Sequence, residues 1–188
     1  MRPRRPRLPK SSDAAARWKE PGSLTGYRIF FTPIHFVMNT PPTVHVEVEV
    51  KAPSSMVWEC WTLPTHIQAW NAASQDWHTP YAENDLRKGG RFTFRMEARD
   101  GSEGFDFGGE YTEVTNQQRI AYRMDDGRKV TVDFEDRGST TRIQEVFEAE
   151  TQHSVEMQQA GWQAILDNFR NYTEAYARDS EAKRQPPD

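Results

Sequence analysis

The chain has 188 residues, 36% of them hydrophobic, which suffices for one domain with a real core and falls short of two. A mean hydropathy of −0.89 describes a soluble chain, and a formal net charge of −4 gives no basis for nucleic acid as the main partner. Cys60 stands alone, which rules out a disulfide framework or a cysteine metal cluster and suits a reducing cytosol.

Residues 1–40 differ in character from the rest. Arg2, Arg4, Arg5, Arg7 and Lys10 alternate with Pro3, Pro6 and Pro9, a composition that favours extended, solvated chain. The segment reads either as a disordered basic leader or as a start-site artefact, with translation beginning at Met38. Tyr27 to Met38 is the most apolar N-terminal piece. It is far shorter than the ~20 residues a membrane crossing needs, and it lacks a small-residue cleavage site.

Order is expected from residue 41. Val44, Val46, Val48 and Val50 alternate with His45, Glu47, Glu49 and Lys51, which predicts a strand with one wet face. Pro53 suits the first position of a helix whose apolar side carries Val57, Trp58 and Trp61, and Pro64 ends it. A second short helix is expected over Thr65 to Trp70. Asn71 to Lys88 lacks periodicity and reads as a long loop.

A meander follows. Phe92, Phe94 and Met96 form one alternating set, Phe105, Phe107, Gly109 and Tyr111 the next, then Ile120, Tyr122 and Met124, then Val130, Val132 and Phe134. Asp100-Gly101, Asn116-Gln117, Asp126-Gly127 and Arg137-Gly138 supply the turns. The last strand, Thr141 to Glu148, points Ile143, Glu145 and Phe147 to one face. From Ser154 the period becomes helical. At about 100° per residue, Val155, Gln158, Trp162, Ile165, Leu166, Phe169, Thr173 and Tyr176 share one arc. After Arg178 the chain turns charged and Pro-rich, so residues 179–188 are expected to be a disordered tail.

This order predicts an α+β domain over 41–178, a curved antiparallel sheet wrapped around a long C-terminal helix, with two short helices after the first strand. Aromatic residues crowd both facing surfaces, so the space between them is either a solid core or a cavity.

Several stretches carry a resemblance: Ala52-Pro53-Ser54-Ser55-Met56-Val57-Trp58, Pro64 to Trp70, Gly89-Gly90-Arg91-Phe92, Phe107-Gly108-Gly109-Glu110-Tyr111, and Gly161 to Phe169. With the order of elements, they resemble the START-like superfamily, also called SRPBCC or Bet v 1-like. Within it the chain is similar to the bacterial homologues of the activator of heat-shock-protein ATPase. Trp70 to Ser74 with Asp76-Trp77-His78 is similar to one subgroup. The resemblance covers about residues 43 to 176 and implies a helix-grip fold enclosing a hydrophobic cavity. It implies a small hydrophobic ligand or, from the family name, a stress-related role with a chaperone partner. No cofactor is implied, and a monomer or homodimer in the cytoplasm is expected.

Trp70, Trp77, Phe94, Phe107, Tyr111, Tyr122, Met124, Phe134 and Trp162 are the expected wall between sheet and helix. Alternation sends Glu145 inward with Ile143 and Phe147, where a carboxylate needs a donor, a water or a ligand, unless a bulge turns it outward. It reads as a polar anchor in an apolar cavity or as a general acid/base. Gln158 reads as a donor to such a carboxylate or to a ligand, or as a core hydrogen bond. Asp76 and His78 read as an acid/base pair or partial metal site, or as residues tying a loop to its own backbone. The leading expectation is binding of an apolar or aromatic metabolite. The alternatives are a co-chaperone-like protein and a cyclase or hydrolase using Glu145, His78 and Asp76.

Overall fold

The computed structural model describes residues 41–184, so the expected leader lies outside the described residues. Seven strands form one antiparallel sheet: β1 (Thr43–Val50), β2 (Trp77–Asn84), β3 (Arg91–Ala98), β4 (Gly104–Thr115), β5 (Arg119–Met124), β6 (Lys129–Asp136) and β7 (Thr141–Glu148). Two short helices, α1 (Ser54–Thr62) and α2 (Pro64–Trp70), follow β1, and α3 (Val155–Arg184) closes the chain. This is the helix-grip architecture, and no described helix is long and apolar enough to cross a membrane.

Strand order is β1-β7-β6-β5-β4-β3-β2. Strands β2 to β7 pair in chain order because tight turns join them. Gly127 and Gly138 take positive φ angles of 92° and 82° in two of those turns, where a side chain would strain the backbone. Only β1 leaves the meander: it docks beside β7, with Val46 opposite Glu145 and Val48 opposite Ile143.

Alternation does what it promises along β1, where every second residue from Val44 to Val50 is buried. Asn71 to Lys88 departs from expectation. It is not one long loop: β2 occupies Trp77–Asn84 and forms the far edge of the sheet. Its register with β3 slips between His78 and Tyr81, so the buried residues Thr79 and Ala82 sit three apart and period two is lost. Pro80 is tolerated because this is an edge strand. Two smaller differences concern the helices. Pro53 is the residue before α1 rather than its first, and Pro64 is not only a stop but the first residue of α2.

Helix α3 starts under Ser154, whose Oγ accepts from the Met157 amide at 3.2 Å. It runs to Arg184, past Arg178 where a tail was expected. Its inward arc buries Leu166, Phe169 and Thr173. One flank follows the free edge of β1. Gln163 Nε2 donates to Glu47 O at 3.0 Å and Gln163 Oε1 accepts from Glu47 N at 3.3 Å. Gln159 Nε2 donates to His45 O at 3.1 Å, and Glu174 Oε1 accepts from Lys51 N at 3.0 Å. Helix side chains thus satisfy the backbone groups an edge strand would leave open. Farther along, His66 of α2 shares a 2.6 Å hydrogen bond with Tyr172. These ties fix α3 along one side of the sheet and leave its N-terminal half facing the rings of β3, β4 and β5.

Candidate functional site

Two regions beneath α3 differ. Around Phe169 the interior is solid: its ring meets Trp61 and Trp70 edge-on at 4.8 and 4.9 Å between centroids. Toward the N-terminus of α3, Trp162 stacks on Phe147 at 4.0 Å, and Gly161 offers no side chain at all. Beyond that stack, open space remains between the helix and the rings of the sheet. The result is a cavity of about 480 Å³, within the range of small-molecule sites. Its rim carries Phe105 and Met157, which are 50% and 62% exposed. The cavity therefore opens to solvent between the start of β4 and the start of α3.

Nine of the eleven expected ligand residues line this cavity: Trp70 and Trp77, Phe94 and Phe107, Tyr111 and Tyr122, Glu145, Gln158 and Trp162. Met124 and Phe134 do not. Both are buried in the core, and Phe134 packs beside Trp58 and Trp61 at 5.3 and 5.5 Å. Alternation placed them on the correct face, but the void spans only part of that face. Trp61, Phe92, Met96, Phe105 and Met157 line the cavity without having been expected there. Phe92 was legible as an inward residue of its strand; the rim positions Phe105 and Met157 depend on where α3 crosses the sheet.

Glu145 points inward from β7 and is only 6% exposed. Its partner among the described residues is the Tyr122 hydroxyl, which donates to Oε1 at a long 3.5 Å. Burial pushes the carboxyl up to about 8, against the Tyr122 hydrogen bond, which favours the charged form. Tyr122 is itself pushed well above its ordinary range, first by burial and then by the Glu145 charge. Tyr111 is raised by burial, although its hydroxyl donates to Asn84 Oδ1 at 2.7 Å.

The other charged groups at the wall are already matched. Arg128 Nε and Nη2 both lie 2.8 Å from Asp126 Oδ2, and His153 Nδ1 lies 2.7 Å from Glu150 Oε1. Gln158 follows the core-bond alternative. Its Oε1 accepts from the Glu150 amide at 2.9 Å, and its Nε2 donates to the Glu150 and His153 carbonyls at 3.1 and 3.0 Å. It pins the segment before α3 and is not a donor to Glu145.

Asp76 and His78 do not join Glu145. Asp76 is exposed and its backbone carbonyl accepts from the Arg99 amide at 2.8 Å. His78 lines a separate polar groove beside α2 and α3, with Nε2 3.9 Å from a Glu97 oxygen. Among the described residues no three His, Cys, Asp or Glu side chains converge as a metal site would require. Cys60 is buried and its thiol is pushed up to about 11 by that burial, which suits packing rather than nucleophilic chemistry.

Comparison with known proteins agrees with this architecture. Residues 51–174 match the model of the family described as Activator of Hsp90 ATPase homolog 1-like protein. The solution structure of an AHSA1-like protein from Aeromonas hydrophila is 44% identical, covers 78% of this chain and 99% of its own, and superposes with a TM-score of 0.69. A Cytophaga hutchinsonii protein is 45% identical over 77% of this chain and 97% of its own, with a TM-score of 0.63. A Nitrosomonas europaea protein, 20% identical over 71% of this chain and 95% of its own, shares the fold at a TM-score of 0.63. No curated protein matches the chain.

Proposed function

The chain belongs to the Activator of Hsp90 ATPase homolog 1-like family, and from that premise and the shape of its interior we propose that it binds a small apolar or aromatic molecule between sheet and helix. The observation that carries this reading is a ring-walled cavity of about 480 Å³ that opens to solvent and holds one buried acid without a strong partner. A folded domain gains nothing from leaving apolar walls unpacked, because each void forfeits dispersion contacts. A guest restores them. The lone buried cysteine suits a cytoplasmic setting.

A chaperone-partner reading needs an exposed apolar surface. The exposed apolar residues nearest to such a surface, Phe105 and Met157, form the rim of the cavity, which favours guest entry. An enzymatic reading needs a second group beside Glu145 to exchange protons with substrate, and the neighbour it has is Tyr122, itself held protonated.

The cavity reading is tested with Nile red, whose emission rises in apolar surroundings. The wild type should bind it saturably, and Gly161→Trp should abolish binding while the protein stays folded, because a side chain at Gly161 meets nothing within 4 Å and projects into the open space. A cognate guest found by mass spectrometry of the natively purified protein should stabilise the fold by about 2.7 kcal/mol at a hundredfold excess over its Kd. Equal Nile red binding by wild type and Gly161→Trp would remove the cavity as the site.

A further inference from the structure

The cavity wall has a charge imbalance that points to the class of guest. Ten aromatic rings line it, four of them the tryptophans Trp61, Trp70, Trp77 and Trp162. Of the charged side chains at the wall, Arg128 is held by Asp126 and His153 by Glu150, while Glu145 has no cationic neighbour within ion-pair distance among the described residues. Its carboxyl is already stripped of water by folding. A cation that takes the place of its proton meets a group that needs no further desolvation, and ring faces that attract positive charge more strongly in a dry site than at a surface.

We propose that the cavity selects a hydrophobic amine, with its ammonium group against Glu145 and its apolar body packed among the rings. This rests on the cavity being a ligand site and names the class of ligand. The Tyr122 hydroxyl, donating to Glu145 Oε1, keeps its oxygen lone pairs available to a second ammonium proton. The titratable and charged side chains that share the cavity wall with Glu145 are Tyr122 from β5, its hydrogen-bond partner, Tyr111 from β4, Arg128 from the turn before β6 and His153 from the segment before α3. At neutral pH the Glu145 carboxyl holds its proton. An ammonium ion therefore binds with loss of that proton to solvent. A neutral amine takes it directly, its nitrogen gaining the proton as the carboxyl O–H bond breaks. Cation affinity thus rises with pH and levels off above about 8.

Three probes of one shape decide the matter: 2-naphthylmethylamine, its hydrocarbon isostere 2-ethylnaphthalene, and the anion 2-naphthoate. At a pH near the carboxyl's own value the amine should bind the wild type about tenfold or more tighter than the hydrocarbon. Its affinity should fall by up to about tenfold per pH unit as the solution is made more acidic. Calorimetry of the wild type in buffers of different ionisation enthalpy should register close to one proton released per ammonium bound at neutral pH. In Glu145→Gln the amine and the hydrocarbon should bind alike. Equal binding of amine and hydrocarbon by the wild type overturns the inference and leaves the cavity a ligand site. So does tighter binding of 2-naphthoate, no proton release, or an amine preference that survives in Glu145→Gln. Failure of all three probes to bind overturns this inference and the cavity reading together.

Discussion

The Tyr122 hydroxyl lies 3.5 Å from Glu145 Oε1, and both side chains are buried on the concave face of the sheet. The hydrogen bond favours a charged carboxylate and burial opposes it; burial wins. Strand pairing maintains the opposition. Glu145 sits across from Val46 on one side and Val132 on the other, so its neighbours along the ladder supply no donors.

That arrangement makes stability depend on pH in a direction opposite to ordinary acid unfolding. The folded carboxyl titrates at about 8 against an ordinary 4.5. Between those values the folded state holds a proton that the unfolded chain releases. The contribution is therefore fully present below 4.5, declines as pH rises, and is gone above about 8. Surface carboxyls such as Glu47, Glu135 and Glu150 are lowered by Arg142, by Arg137 and by the Gln152 amide respectively. Their effects belong to more acidic solution. Urea unfolding should show the wild type losing on the order of a few kcal/mol between about pH 5 and about pH 9. Glu145→Gln should lose much less over the same range. Superimposable profiles would mean that Glu145 reaches water.

The edge of β1 yields a second prediction. Gln163 bonds both the amide and the carbonyl of Glu47, as a neighbouring strand would. Gln163→Leu keeps most of the volume and loses both bonds, leaving two edge groups without partners. We expect a loss of about 1–2 kcal/mol in urea unfolding, with faster hydrogen exchange at the Glu47 amide. An unchanged exchange rate would show that water replaces the glutamine without cost.

How far these features could be read in the sequence follows from their periodicity. Strands β1 and β3 to β7 were legible because one buried face imposes alternation, and Glu145 was found as the one inward carboxylate in that pattern. Strand β2 was hidden by its bulge and Pro80, which erase the signal in eight residues. The last turns of α3 were missed because Arg178 to Lys183 hold a single apolar residue, Ala182, and are mostly exposed, so no apolar periodicity marks them. The lateral position of the void depends on Gln159, Gln163 and Glu174 tethering the helix to β1, a pairing between residues more than a hundred positions apart. Hence Phe134 and Met124 were assigned to the cavity wall, and Phe105 and Met157 were not.

Gly108-Gly109 in β4 allows a close approach of neighbouring groups. A Cβ on Gly109 would lie 2.5 Å from the Arg123 carbonyl oxygen and 3.1 Å from the Phe92 ring. The first obstacle is backbone and cannot rotate away. Gly109→Ala should cost about 1–3 kcal/mol, measured as a lower urea midpoint, and should shift the Phe92 ring resonances. A neutral outcome would require β4 and β5 to part without loss of pairing.

Phe169 and Trp162 are seven residues apart on α3, yet their truncation should have opposite consequences. Phe169 is fully buried between Trp61 and Trp70, so Phe169→Ala opens a new void in dense packing and should cost about 3–5 kcal/mol. Trp162 already borders open space and is only partly buried. Trp162→Ala forfeits mainly its stack on Phe147 and should cost about 1–2 kcal/mol, because it widens an existing cavity and creates no new one. Nile red should discriminate in reverse: affinity should drop in Trp162→Ala, which loses a ring of the wall, and persist in folded Phe169→Ala, which leaves the wall intact. If both variants lost stability equally while Nile red binding stayed unchanged, Trp162 would be a packing residue of the same kind as Phe169, and the cavity would extend elsewhere.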